Sequence, residues 1–134
     1  MSLGARRDLL IVACAVSAGI HGALVPEHLR ESAVAGAGFI TATVLLLAVV
    51  VALTVSSDPR PAAVVAELVL LGLIASYALV VWRGLPVIHP DTEPLDTLAL
   101  ATKAVEAVGL FLAASLVGRR RRAINLSLEE GVRA

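Results

Sequence analysis

The chain has 134 residues, enough for one domain, and its eleven Lys and Arg balance its eleven Asp and Glu. Apolar residues make up 58% of it and charged residues 16%, against about 45–50% and about 25% in soluble domains. A soluble domain of this size buries only about two thirds of its surface, so the composition excludes a water-soluble globule, and basic residues bunched beside apolar runs argue against a nucleic-acid partner.

Arg6 and Arg7 precede the first apolar run, Leu9–Val25. An arginine pair before an apolar stretch also resembles the start of a secretory signal. No small-x-small cleavage site follows, and Gly19-Ile20-His21-Gly22 interrupts the stretch, so this run is expected to stay as a membrane helix. Cys14, the one cysteine, lies inside it, which rules out a disulfide framework and a CxxC motif. Residues 26–32, beginning Pro26-Glu27-His28, read as a connection. The second run is 33–55, with Gly36-x-Gly38 permitting close helix approach. Ser56 to Pro61, with two prolines and Asp58, forms the next break. The third run, 62–82, ends on Trp82, the place for an aromatic anchor at the membrane interface. Glu67 lies one turn inside it and reads as structural, within reach of a snorkelling Arg60 or the Arg119–Arg122 cluster. The long connection that follows holds Pro86, Pro90 and Pro94 and is expected to be largely non-helical. The fourth run is 97–117, and 123–134 reads as a short tail.

Each run has about the 20 residues that cross a hydrocarbon core of about 30 Å, and a spanning segment must satisfy its own backbone hydrogen bonds, which a helix does. Short connections make neighbours antiparallel. The expected fold is all-α: a four-transmembrane-helix up-down-up-down bundle over residues 1–122. Basic residues set its orientation. With the N-terminus inside, Arg6, Arg7, Arg60 and Arg119–Arg122 face the cytoplasm, against only Arg30 and Arg83 on the other side. The expected location is a bacterial plasma membrane, with both termini cytoplasmic.

An ionisable residue within a span costs about 2.5–3.5 kcal/mol on insertion scales and calls for a reason. On the fourth run Asp96, Lys103 and Glu106 fall within a sector of about 80° at 100° per residue, and Lys103 and Glu106 pair at i,i+3. Counted from Thr97, they lie about 9 and 14 Å deep. The stripe reads as an intramembrane ion pair or a proton relay. On the first run Cys14, Ser17 and His21 share one face, continued by His28 if the helix runs past Pro26. His21 lies at nearly the depth of Lys103 and is placed to meet the stripe across the bundle. Phe39, Tyr77 and Phe111 have ordinary packing readings.

His21, Glu27, His28, Glu31 and His89 gather at the end away from the termini, with Asp91, Glu93 and Asp96 nearby. Imidazole and carboxylate together suit a divalent transition metal such as zinc, copper or iron. A solvated polar rim and a partner surface are the alternatives. A haem needs histidines facing each other from opposite helices, and only His21 lies clearly within a span, so haem ranks below a metal ion.

The segments His21-Gly-Ala-Leu-Val-Pro-Glu27-His28-Leu-Arg-Glu31 and Gly84-Leu-Pro86-Val-Ile-His89-Pro90, with Glu93, Asp96 and Glu106 following, resemble small four-helix membrane proteins of high-GC actinobacteria. That resemblance implies fold and location and no particular chemistry. The functional expectation is a metal-binding or transport-accessory protein in the lipid bilayer, with a homodimer or a larger membrane complex as its setting. A purely structural subunit is the alternative. No nucleophile stands at catalytic spacing from a base, so an enzyme ranks last.

Overall fold

The computed structural model describes residues 1–83 and 97–133, of which residue 83 and residues 119–133 are described by backbone alone. Among them are four helices: α1 (Leu3–Glu31), α2 (Ala33–Val55), α3 (Arg60–Arg83) and α4 (Thr97–Arg133). Each contains a stretch long and apolar enough to cross a membrane, with mean hydropathy from 1.7 in α4 to 2.6 in α2. The protein is a multi-pass membrane protein folded as a four-helix bundle. Successive helices pack side by side and α1 closes the ring against α4. Most of each spanning stretch faces outward, as expected when lipid is the solvent.

Two boundaries differ from the sequence reading. Helix α1 does not stop at Val25 but runs through Pro26 to Glu31. Proline removes one backbone donor and crowds the turn before it. The helix continues all the same, because a segment in lipid must satisfy its backbone hydrogen bonds within itself. The expected connection at 26–32 therefore shrinks to Ser32 alone. Its extended backbone closes α1 by donating its N–H to the His28 carbonyl at 2.9 Å, and its hydroxyl accepts from Ala35 N at 3.3 Å to open α2. So sharp a corner forces the two helices together. A Cβ on Gly36 would lie 2.9 Å from the Leu29 Cα and closer still to its side chain, whereas one on Gly38 would meet nothing. The second difference is in α4, whose backbone stays helical through Arg133, so the tail expected from residue 123 continues the helix over 123–133.

The other end is held by caps. Ser2 accepts from Ala5 N at 3.1 Å at the start of α1, and the Arg7 guanidinium donates to the Thr54 carbonyl at 2.7 Å, tying α1 to the last turn of α2. The α2–α3 break at Ser56–Pro59 is organised by Ser56 Oγ donating to the Asp58 carbonyl and by Asp58 Oδ1 accepting from Arg60 N.

The interior divides by level. Leu10, Cys14, Leu46, Val49, Leu53, Ala63, Ala66, Leu70, Leu112 and Leu116 form one apolar cluster in the half of the bundle nearer Arg7. The buried polar and charged side chains among the described residues are Ser17, His21, Thr102 and Glu106, all in the other half. Gly109 stands at the junction, where a Cβ would come within 3.0 Å of Leu70 Cδ1 and 3.4 Å of the Ala13 Cβ. Its missing side chain lets α1, α3 and α4 close together one turn beyond Glu106.

Candidate functional site

The polar half is organised around Glu106, which has no exposed surface. Its Oε2 accepts from Lys103 Nζ at 2.6 Å, the i,i+3 pair expected from spacing on one helix. Its Oε1 accepts from Ser17 Oγ on α1 at 3.0 Å. Lys103 Nζ also donates to the Leu73 carbonyl of α3 at 3.3 Å and lies 5.3 Å from the Tyr77 ring centroid, a cation–π distance. One ion pair thus joins three helices. The arrangement answers the cost of burying charge, which is met only when the partner charge and further hydrogen bonds are both supplied.

His21 completes the group. Its Nδ1 lies 2.9 Å from the Ser17 carbonyl. A carbonyl can only accept, so Nδ1 carries the proton and Nε2 is the nitrogen turned to Glu106, 3.8 Å from Oε1. Protonation of the imidazole converts that approach into an ion pair. The meeting of His21 with the α4 stripe follows from the depths of the two residues, and the structure brings them together.

Above this group lies a cavity of about 490 Å³ between all four helices, lined at its inner end by His21, Thr102 and Lys103 and toward the rim by Glu27, His28 and Glu31. The Lys103 side chain keeps 18% of its surface exposed while Glu106 keeps none, so the cavity meets the lysine of the ion pair and not the carboxylate. Thr102 donates to the Leu98 carbonyl at 2.7 Å, which leaves its oxygen lone pairs for the interior. His28 places Nδ1 3.0 Å from the Leu24 carbonyl, the same fixing that holds His21. Its ring stacks on Phe39 at 3.8 Å between centroids, and Phe39 lies 5.4 Å from the His21 ring. Phe39 and Tyr77, read from sequence as packing residues, are therefore part of the site. No sequence signal marked them, because their roles depend on which way α2 and α3 are turned.

Of the expected metal residues, His21, Glu27, His28 and Glu31 share this one cavity, while His89 lies outside the described residues. Among the described residues no three His, Cys, Asp or Glu side chains are grouped to hold a metal ion. Helical geometry separates the donors: His21 sits beside Glu106 inside the bundle, and Glu27 and Glu31 are exposed at the rim. Asp96, the outermost residue of the α4 stripe, also lies outside the described residues. Glu67 is half-buried on α3, and among the described residues Arg60 pairs with Asp58 at 3.9 Å and not with Glu67. Trp82 is 78% exposed at the end of α3, the position of an interfacial anchor.

Below Glu106 the polar path ends. The next buried layers are Cys14, Leu10, Leu70, Leu112 and Leu116, with no polar side chain among them to pass a proton or an ion onward. Comparison with protein families, with curated proteins and with solved structures finds no match.

Proposed function

We propose that the protein is a membrane-embedded binding protein with a one-sided site. A small molecule enters the cavity from the His28 end and is held at its base by Lys103 and His21. The apolar half beyond Gly109 closes the path, so the molecule is retained rather than conducted. The observation that carries this reading is the level change itself: an ion pair with partners on three helices at the foot of a roughly 490 Å³ cavity, directly above a dry core. That volume lies in the range of pockets for small organic ligands, mostly apolar with a few convergent polar groups. The distribution of Arg6, Arg7, Arg60 and Arg119–Arg122 against Arg30 and Arg83 supports an orientation with both termini in the cytoplasm of a bacterial plasma membrane and the cavity open to the outside.

Access tests the reading. In Cys14→Ala/Thr102→Cys, a small membrane-impermeant thiol reagent added to the outside of cells is expected to label position 102. In the unaltered protein Cys14 is expected to stay unlabelled until the bundle is unfolded. Labelling of Cys14 as fast as position 102, or of neither, overturns a site open on one side and sealed on the other.

A second reading keeps a divalent transition metal as the occupant. It is favoured by the four donors His21, Glu27, His28 and Glu31 on one cavity and by the Nδ1-to-carbonyl bonds of both imidazoles, an orientation that metal-binding histidines use to present Nε2. Near-stoichiometric zinc, copper or iron in purified protein, lost in His21→Ala and His28→Ala, supports it. No metal uptake after incubation with those salts removes it.

A further inference from the structure

We infer that the cavity selects an uncharged amphiphile carrying a carbonyl oxygen, which accepts a hydrogen bond from Lys103. The inference rests on the binding reading above and names the ligand class. It comes from where the charges stand relative to the space. At the inner end the ligand meets Lys103 rather than Glu106, because Lys103 lines the cavity and the fully enclosed Glu106 does not. A lipophilic cation would find no free carboxylate at the inner end, because Glu106 is enclosed and already paired with Lys103. An anion would have to pass Glu27 and Glu31 at the described rim and would then face an ammonium whose charge Glu106 already balances at 2.6 Å. Between those ends the walls are mostly apolar, with Ile20, Leu24, Phe39, Ala42 and Val80, and the hydroxyls of Ser76 and Tyr77 are neutral, which is too little to replace the water of an ionised group. Both signs of charge are disfavoured, and an apolar body is accepted.

The demand for an acceptor atom follows from counting donors. A lysine ammonium has three N–H bonds. Two are engaged, by Glu106 Oε2 and by the Leu73 carbonyl; among the described residues the third meets no oxygen acceptor, only the Tyr77 ring 5.3 Å away, and Lys103 lines the cavity. A charge-assisted hydrogen bond from it to a carbonyl oxygen is stronger than one between neutral partners. The Tyr77 ring, 5.3 Å from Lys103 Nζ, and Phe39, with His28 stacked on it, give the cavity aromatic walls, which suit a flat apolar body.

The test uses two uncharged probes of nearly equal shape, 2-acetylnaphthalene and 2-ethylnaphthalene, together with tetraphenylphosphonium and dodecanoate. Equilibrium binding is measured on the full chain in lipid nanodiscs, with protein-free discs subtracted. The expected result is 2-acetylnaphthalene bound about tenfold or more tightly than 2-ethylnaphthalene, the factor of a hydrogen bond to a charged donor. The two ions are expected to bind more weakly than either. Lys103→Met/Glu106→Gln, which removes both charges together and so avoids an unpaired one, is expected to keep the hydrocarbon affinity and lose the preference. Equal binding of the two naphthalenes, tighter binding of either ion, or a preference that survives in the double variant overturns the ligand class while leaving a binding cavity. If no probe binds and position 102 also resists thiol labelling, the binding reading fails with it.

Discussion

On the Arg7 side of Gly109 the helices meet through leucines, alanines and Cys14; on the His28 side they meet through Ser17, His21, Glu106, Lys103 and a cavity. The two halves have the same solvent outside, lipid, and the same four helices, yet they are held together differently. Between apolar helices in a bilayer there is little hydrophobic drive, and association depends on close packing and interhelical hydrogen bonds. The apolar half uses the first: Ala62, Ala63 and Ala66 of α3 and Gly109 of α4 bring backbones near enough for Leu10, Leu53, Leu70 and Leu116 to interdigitate. The polar half uses the second and leaves room that the first does not. A structure that needed only stability would not require the ion pair, since buried charge pairs seldom stabilise more than well-packed apolar residues.

The widest separation between the halves comes from removing one charge. Glu106→Ala leaves the Lys103 ammonium inside the bundle without its carboxylate, and a broken buried pair costs about 3–5 kcal/mol. Unfolding in mixed micelles, followed by circular dichroism, is expected to show that loss. Lys103→Met/Glu106→Gln is expected to recover most of it, because Ser17 retains an oxygen at position 106 to donate to. Equal instability of the single and double variants would mean that charge compensation does not hold this half.

Next in size is the corner that sets α1 against α2 and so fixes one wall of the cavity. Gly36→Ala pushes a methyl into the Leu29 backbone, an overpacking expected to cost about 1–3 kcal/mol. Gly38→Ala, in open space, is the control and is expected to leave the unfolding midpoint in place. In the apolar half, Leu53→Ala empties a fully buried site. In water such a change costs about 2–5 kcal/mol; with lipid as the reference the transfer part falls away, so a loss of about 1–2 kcal/mol is expected in the same assay. A Leu53→Ala loss as large as that of Glu106→Ala would erase the distinction between the halves.

Hydropathy and proline placement were sufficient to read the bundle and its four spans, because lipid leaves the backbone few alternatives. The Lys103–Glu106 pair was legible from helical spacing, and its approach to His21 from equal depth in the membrane. What sequence could not supply was rotation. Helix α2 is apolar on every side, so nothing in its pattern says that Phe39 faces His28, and nothing in α3 says that the Leu73 carbonyl faces Lys103. Pro26 reads as a stop in sequence, where a lipid setting lets α1 continue. The tail beyond Arg122 reads as separate because it is short and mixed in composition, although its backbone continues α4 through Arg133.

The smallest effect belongs at the far end of the apolar half, where Arg7 donates to the Thr54 carbonyl. A cation at a helix C-terminus contributes about 0.3–1 kcal/mol in exposed settings, too little to move a global unfolding midpoint by much. The consequence should be local. In Arg7→Gln the last turn of α2 frays more often, so the amide of Ser56, which donates to the Ala52 carbonyl at 3.1 Å, is expected to exchange with solvent about two- to fivefold faster. Thiol labelling at position 102 should not change, because the leucine layers separate that turn from the cavity. Faster labelling at 102 in this variant would show that opening one end is felt at the other, and the dry half would then be a linkage between the two membrane faces instead of a seal.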